Sequence, residues 1–311
     1  MIDLECLTVR RVHFPNQIFF YAPGLKRYQT SEYTSHDATE FIPISLTGTD
    51  CALNCDHCQT TLLKSMMSLP QTGGSLFDLC ARLAEKGARG ILVSGGSDRR
   101  GRVPLQKYIP DLARARRELG LLMRIHPGLP DDETCAALAS LDLDGVMIDV
   151  IGHADTIRDV CHLDATPDDY AAALARLERH GIPTVPHIVL GLHYGQMLGE
   201  WHALEMIARH SPKTLVLVIL MPLVGTRMAA AKPPSLNDLG AFFQTTRKTL
   251  ARTPIMLGCA RPLGLTKPAI DRLAIDAGFN GIAYPSEGLV AYAREKNLEP
   301  SFINACCGVS W

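Results

Sequence analysis

Eight short apolar runs, each followed by an amphipathic stretch, leave this chain few ways to fold. They span 43–46, 90–94, 122–125, 146–150, 184–190, 215–221, 255–259 and 281–284. Such near-continuous, β-branched runs suit parallel strands covered by helices. Helix-start signals recur between them. Ser75, Ser235 and Thr266 stand at N-cap positions, and Thr166-Pro167-Asp168-Asp169 combines a cap, a proline at N1 and two acids facing the helix dipole. The helices are expected to end near Gly87, Leu119, Ser140, Gly181, His210, Ala251 and Gly278. Eight strand–helix units predict an α/β fold, a closed (β/α)8 TIM-type barrel rather than an open sheet. At 311 residues the chain holds one such barrel, which takes ~250 residues, with terminal additions. We divide it into an N-terminal cap segment, 1–41, the barrel, 42–297, and a C-terminal tail, 298–311. In the first, Val9–His13 and Gln17–Tyr21 read as short strands joined through Pro15-Asn16, with a turn at Ala22-Pro23-Gly24.

A net charge of -1 gives no bulk electrostatic case for nucleic acid or an anionic membrane. No apolar run reaches the ~18 residues that span a bilayer, and Met1-Ile2-Asp3-Leu4-Glu5 lacks a basic region followed by an apolar one. The expectation is a soluble cytoplasmic protein. Ten cysteines in such a chain point to metal or redox chemistry rather than disulfides.

Three of these thiols share one loop. The first strand leads into Thr47-Gly48-Thr49-Asp50-Cys51-Ala52-Leu53-Asn54-Cys55-Asp56-His57-Cys58, a Cys-x3-Cys-x2-Cys spacing with no fourth Cys or His at ligand distance behind it. Three thiolates on a tight loop can hold three irons of a cubane cluster and leave the fourth open. The alternative is a zinc knuckle, which needs a second ligand pair from afar, such as Cys306 and Cys307. The other candidates fall at successive strand ends, where barrels place their chemistry: Gly95 and Gly96 after the second strand, His126 after the third, Asp149 on the fourth, Gly191 after the fifth, and Cys259 and Arg261 after the seventh. Each alone also has a structural reading, as turn former, cap or surface ion pair.

Together, the Cys loop and this order resemble the radical S-adenosylmethionine (SAM) superfamily. The resemblance implies a 4Fe-4S cluster on Cys51, Cys55 and Cys58 whose open iron chelates SAM, with His57 in the position usually held by an aromatic residue. It implies SAM contacts from Gly95-Gly96, which departs from the family's Gly-Gly-Glu by lacking Glu, from Asp149 at the ribose and from Gly191 beside the adenine. Pro222-Leu223-Val224-Gly225-Thr226 resembles a Pro-x-x-Gly-Thr turn of the biotin and lipoyl synthase-like subgroup. Cys80, Cys135 and Cys161 read as buried small hydrophobes. Cys6, Cys259, Cys306 and Cys307 are candidate ligands of a second, auxiliary cluster, and Arg261 and His126 candidate catalytic or substrate-binding residues.

The stretch from Leu46 to Cys58, with Ser94-Gly95-Gly96 and Gly101-Arg102-Val103-Pro104-Leu105, looks most like one component of the two-protein lipoyl synthases. That likeness implies sulfur insertion into an octanoyl chain during lipoate synthesis, drawing on a sacrificial auxiliary Fe-S cluster. The implied partners are a lipoyl carrier protein bearing octanoyl-lysine, a second radical SAM protein and an electron donor such as ferredoxin or flavodoxin. Asp98-Arg99-Arg100-Gly101-Arg102 could dock an acidic carrier. The alternatives are another radical SAM reaction with one cluster, such as metallocofactor maturation or C–C rearrangement, and a non-catalytic metal-binding protein.

Overall fold

The eight apolar runs form strands in the expected order, and three further strands join the sheet, one from each terminal segment and a two-residue strand after the Cys loop. A computed structural model describes residues 5–23, 28–34 and 39–309; Gly24 of the expected turn and Met1 to Leu4 lie outside the described residues. The strands are β1 Gln17–Tyr21, β2 Phe41–Ser45, β3 Met67–Ser68, β4 Gly90–Ser94, β5 Leu122–Ile125, β6 Gly145–Asp149, β7 Thr184–Leu190, β8 Leu215–Ile219, β9 Ile255–Leu257, β10 Gly281–Ala283 and β11 Glu299–Ile303. All pair in parallel in one curled sheet, in the order β11-β1-β10-β9-β8-β7-β6-β5-β4-β2-β3.

The helices are α1 Glu5–His13, α2 Leu69–Thr72, α3 Leu76–Glu85, α4 Ile109–Leu119, α5 Asp132–Ala139, α6 Pro167–Arg179, α7 Glu200–Ala208, α8 Leu236–Thr249, α9 Lys267–Asp276 and α10 Leu289–Glu295. Their starts follow the local chemistry. The Ser75 hydroxyl accepts from the Asp78 N–H at 3.1 Å while the Asp78 carboxylate accepts from the Ser75 N–H at 3.0 Å, a closed capping box. Thr166 and Asp169 open α6 in the same way. On β7, Ile188 and Leu190 face outward into the helix-covered core, whereas Val185, His187 and Val189 face the barrel lumen.

The terminal segments are where the sequence expectation needs correction. Val9–His13 is not a strand: it is the second half of α1. Burial at Cys6, Leu7 and Arg10 has helical spacing, Glu5 sits in the first turn, and Arg10, Arg11 and His13 sit in the last. The Arg10 guanidinium ties the helix end to the following turn by donating to the Pro15 and Gln17 carbonyls at 2.8 and 2.6 Å. β1 then inserts between β10 and β11 in the main sheet. In residues 28–34, Tyr33 stacks on Phe302 of β11 at 3.8 Å and the Tyr28 hydroxyl donates to the Pro285 carbonyl.

The ring is completed by packing instead of strand pairing, because among the described residues β11 and β2 share no ladder. The tail after β11 fills that seam. Ala305 and Val309 pack on Phe41, all three fully buried, and the Gly308 carbonyl accepts from Arg124 at 2.8 Å inside the barrel, where Arg124 is also paired with Asp144. No helix among the described residues is long and apolar enough to cross a membrane.

Candidate active site

The mouth of the barrel, at the C-terminal ends of the strands, collects nearly every candidate residue. The loop after β2 carries Cys51, Cys55 and Cys58, and the loop after β4 lies against it in backbone contact. The Gly96 N–H donates to the Thr47 hydroxyl at 2.7 Å, the Ala52 N–H to the Ser97 carbonyl at 2.8 Å, and the Ser97 N–H to the Cys51 sulfur at 3.4 Å. A Cβ on Gly96 would stand 1.8 Å from the Asp50 carbonyl oxygen. Glycine is required there for the two loops to meet.

On its other side the Cys loop rests on a single π-helical turn, Thr156–Val160, which follows β6. The Asp56 N–H donates to the Val160 carbonyl at 2.8 Å, and the Cys55 thiol donates to the Cys161 carbonyl at 3.4 Å. The neighbouring Cys161 thiol, more than burial, holds the Cys55 thiol well above its ordinary range. Cys58 is pushed up to about 12, by Cys55 first and then by burial.

Cys51, Cys55, Cys58 and His57 line a cavity of about 210 Å³ with Gly95, Gly96, His126, Asp149, Cys161 and Tyr170. His126 Nε2 lies 3.3 Å from Asp149, whose side chain keeps 48% of its surface open to the cavity. Burial works against both charged forms. The charge and hydrogen bond of His126 nevertheless hold Asp149 well below the usual carboxylate range, and Asp149 in turn raises His126.

A second cavity, of about 240 Å³, adjoins the first; His57, Leu62, Asp149 and Val189 line both. Its walls are largely aliphatic (Leu92, Met147, Val216, Val218, Leu220 and Leu223), and Cys259, Cys306 and Cys307 bound it. Cys306 is pushed up to about 12 by burial, with Cys259 adding to the effect. His187 is the remaining polar side chain in this wall. Its Nδ1 bonds the Val185 carbonyl at 2.9 Å, and burial lowers its pKa to about 4, so the ring is neutral near pH 7.

Three expected site residues stand elsewhere. Cys6 is buried in the outer helical layer, its sulfur 3.7 Å from the Gln244 carbonyl of α8, and cannot join the other thiols. It lies on a helix that precedes β1, whereas the mouth is reached only after a strand. Arg261 is fully buried and spends its guanidinium on Asp271 at 2.7 Å and on the Gly258 and Tyr284 carbonyls at 2.8 and 3.0 Å, so it faces neither cavity. Gly191 is not in the cavity wall, where its neighbours Val189 and Leu192 stand; a Cβ there would meet the Pro234 ring at 2.5 Å.

Other residues at the site were not singled out from sequence. Cys161 lines the first cavity, and nothing in its local sequence marks it. Asp56 inside the Cys loop and His187 at an inward position of an apolar strand did carry a signal: each is a polar group that must find a partner or a ligand.

The donor set fits a cubane cluster. It offers three soft thiolates on one loop, a backbone N–H already directed at one sulfur, a glycine-only contact bracing the loop, and a buried Nδ1 of His57 with no hydrogen-bond partner among the described residues. Known proteins point the same way. Residues 45–205, more than half of the chain, match the model of the radical SAM superfamily. A methylornithine synthase (PylB) is similar over 95% of this chain and 87% of its own, with a TM-score of 0.61 and 15% identity. The FeFe-hydrogenase maturase HydG from Carboxydothermus hydrogenoformans is similar over 97% and 72%, with a TM-score of 0.64 and 17% identity. SuiB from Streptococcus suis, solved with S-adenosylmethionine, is similar over 73% of this chain and 52% of its own, with a TM-score of 0.54 and 11% identity. At these identities the likeness is one of fold. No curated protein matches the chain in sequence. On the family match and the thiol loop together, the chain belongs to the radical SAM superfamily.

Proposed function

We propose that this radical SAM enzyme inserts sulfur into an aliphatic chain, with a protein-bound octanoyl group as the substrate. The observation that carries the reading is the pair of adjoining cavities. One is bounded by the three loop cysteines; the other is an aliphatic chamber bounded by Cys259, Cys306 and Cys307. Cys51, Cys55 and Cys58 would hold the 4Fe-4S cluster, which with SAM supplies a 5′-deoxyadenosyl radical able to take hydrogen from an unactivated C–H bond. Cys259, Cys306 and Cys307 would hold the auxiliary cluster, which supplies the sulfur.

The protein's own contribution is positional. Aliphatic walls bind an alkyl segment and keep water from it. His57 and Asp149 stand on the boundary between the cavities, and the neutral His187 offers its Nε2 as the chamber's hydrogen-bond acceptor. The mouth carries exposed apolar side chains at Leu62, Val224, Leu263 and Leu265. Leu62 belongs to both the rim and the chamber, which suits a substrate delivered on a lipoyl carrier protein. A second radical SAM protein and a ferredoxin or flavodoxin donor in the cytoplasm complete this reading.

A second reading is favoured by the structural relatives, which include a methylornithine synthase and a hydrogenase maturase. In it the chain carries one cluster and performs a C–C rearrangement or a metallocofactor maturation step.

Iron and sulfide per chain after anaerobic reconstitution separate the two. Two cubanes give about eight irons, falling to about four in Cys51/Cys55/Cys58→Ala and to about four in Cys306/Cys307→Ala. About four irons in the wild type, unchanged by Cys306/Cys307→Ala, removes the sulfur-insertion reading and leaves the second.

A further inference from the structure

Between the second and third cysteines of the loop stands an acid, Asp56, whose side chain is buried. Three loops from other strands converge on it. His162, after the π-helical turn, places Nε2 at 2.9 Å; Tyr194, in the loop after β7, donates its hydroxyl at 2.7 Å; Arg227, in the loop after β8, donates Nη1 at 2.6 Å.

Each partner is fixed in turn. His162 Nδ1 bonds the Leu53 carbonyl at 2.8 Å, so this ring grips the Cys loop on both sides of Cys55. The Arg227 backbone N–H donates to the Gln59 side chain at 2.7 Å, one residue past Cys58. His162 and Tyr194 hold left-handed backbone, φ 53° and 51°, as do Asn54 and Gln59 in the Cys loop itself. Such conformations are strained for residues other than glycine and persist where surrounding contacts enforce them.

We propose that Asp56 is a positioning residue that locks the cluster loop to the loops after β6, β7 and β8. Through them the geometry of the three thiolates is set by the far side of the mouth. Arg227 lies four residues beyond Leu223 of the aliphatic chamber, so the same lock runs from the chamber's rim to the cluster. This rests on family membership alone and stands whichever reaction the enzyme performs.

The test uses reconstituted protein and three readouts: the rate of iron loss to a chelator, the midpoint potential of the loop cluster, and its electron paramagnetic resonance signal with and without SAM. Asp56→Ala should lose iron 10–100-fold faster, the range typical when the residues that orient metal ligands are removed. It should also shift the potential and broaden the signal, with thermal unfolding of the iron-free protein little changed. Asp56→Asn keeps an acceptor for Tyr194 and should fall between. If Asp56→Ala does not fold, Arg227→Ala and Tyr194→Phe, both at the surface, should each raise the rate of iron loss and alter the signal in the same direction. Wild-type iron loss, potential and signal in Asp56→Ala, or in both surface variants, overturns the proposal.

Discussion

A methyl group at Gly96 has nowhere to go: its carbon would lie 1.8 Å from the Asp50 oxygen and 2.6 Å from Cys51 Cα, both backbone atoms of the loop that carries the thiols. Gly96→Ala should therefore displace the Cys loop and leave a folded chain that binds little iron, measured as iron per chain after reconstitution; a normal iron content refutes this. His187 is a different case, a single ring whose environment makes stability depend on pH. Its folded pKa, about 4, lies below the ordinary 6.5. Above pH 6.5 both folded and unfolded chains hold it neutral. As pH falls from 6.5 toward 4 the unfolded chain takes up a proton that the folded one refuses, so stability is lost in that window, by at most about 3 kcal/mol. Urea unfolding at pH 7 and pH 5 should show a smaller acid loss in His187→Leu than in the wild type; equal losses would remove His187 as the cause. Both residues could be found in the sequence, one as half of a double glycine after a strand, the other as the ionisable member of Thr184–Leu190. What each touches could not.

Among the elements, the C-terminal tail has the largest structural consequence for its length. It follows β11, enters the barrel, and buries Phe41, Ala305 and Val309 against one another in the seam that strand pairing leaves open. Removing residues 304–311 would expose Phe41 and deprive Arg124 of the Gly308 carbonyl, a cost of about 3 kcal/mol from lost apolar burial and one unmet hydrogen bond. Cys306/Cys307→Ala, which keeps the backbone path, should unfold in urea close to the wild type. Equal stability of the truncated and full-length chains would show that the tail closes nothing. The central strands and most helix starts were legible because hydrophobic run and N-cap are local signals, as at Gly90–Ser94 and at Ser75 with Asp78. α1 was misread because Val9 and Val12 suggest a strand, while the contacts that make Glu5–His13 a helix, against α8, lie more than 200 residues away.

For the whole molecule, the strand order and its consequence, a mouth lined by successive strand-end loops, follow from the βα repeat, because parallel strands joined by helices put all their C-terminal ends on one side. The same repeat carried the Cys loop, Gly95, Gly96, His126 and Asp149 into one cavity. Family membership, too, was written locally, in the spacing of Cys51, Cys55 and Cys58. The tertiary structure alone decided which thiols reach the mouth: it brought Cys306 and Cys307 to Cys259 through the path of the tail and left Cys6 in the outer layer. It also paired Arg261 with Asp271 and drew His162, Tyr194 and Arg227 onto Asp56. The physical reason is the range of the interactions. Periodicity, capping and ligand spacing act within a few residues and are legible in the chain. Burial of the Arg261 charge depends on partners 10 and 23 residues away on other elements, and closure of the seam and convergence of the loops on Asp56 depend on residues more than a hundred positions apart; all of these contacts exist only once the sheet has curled.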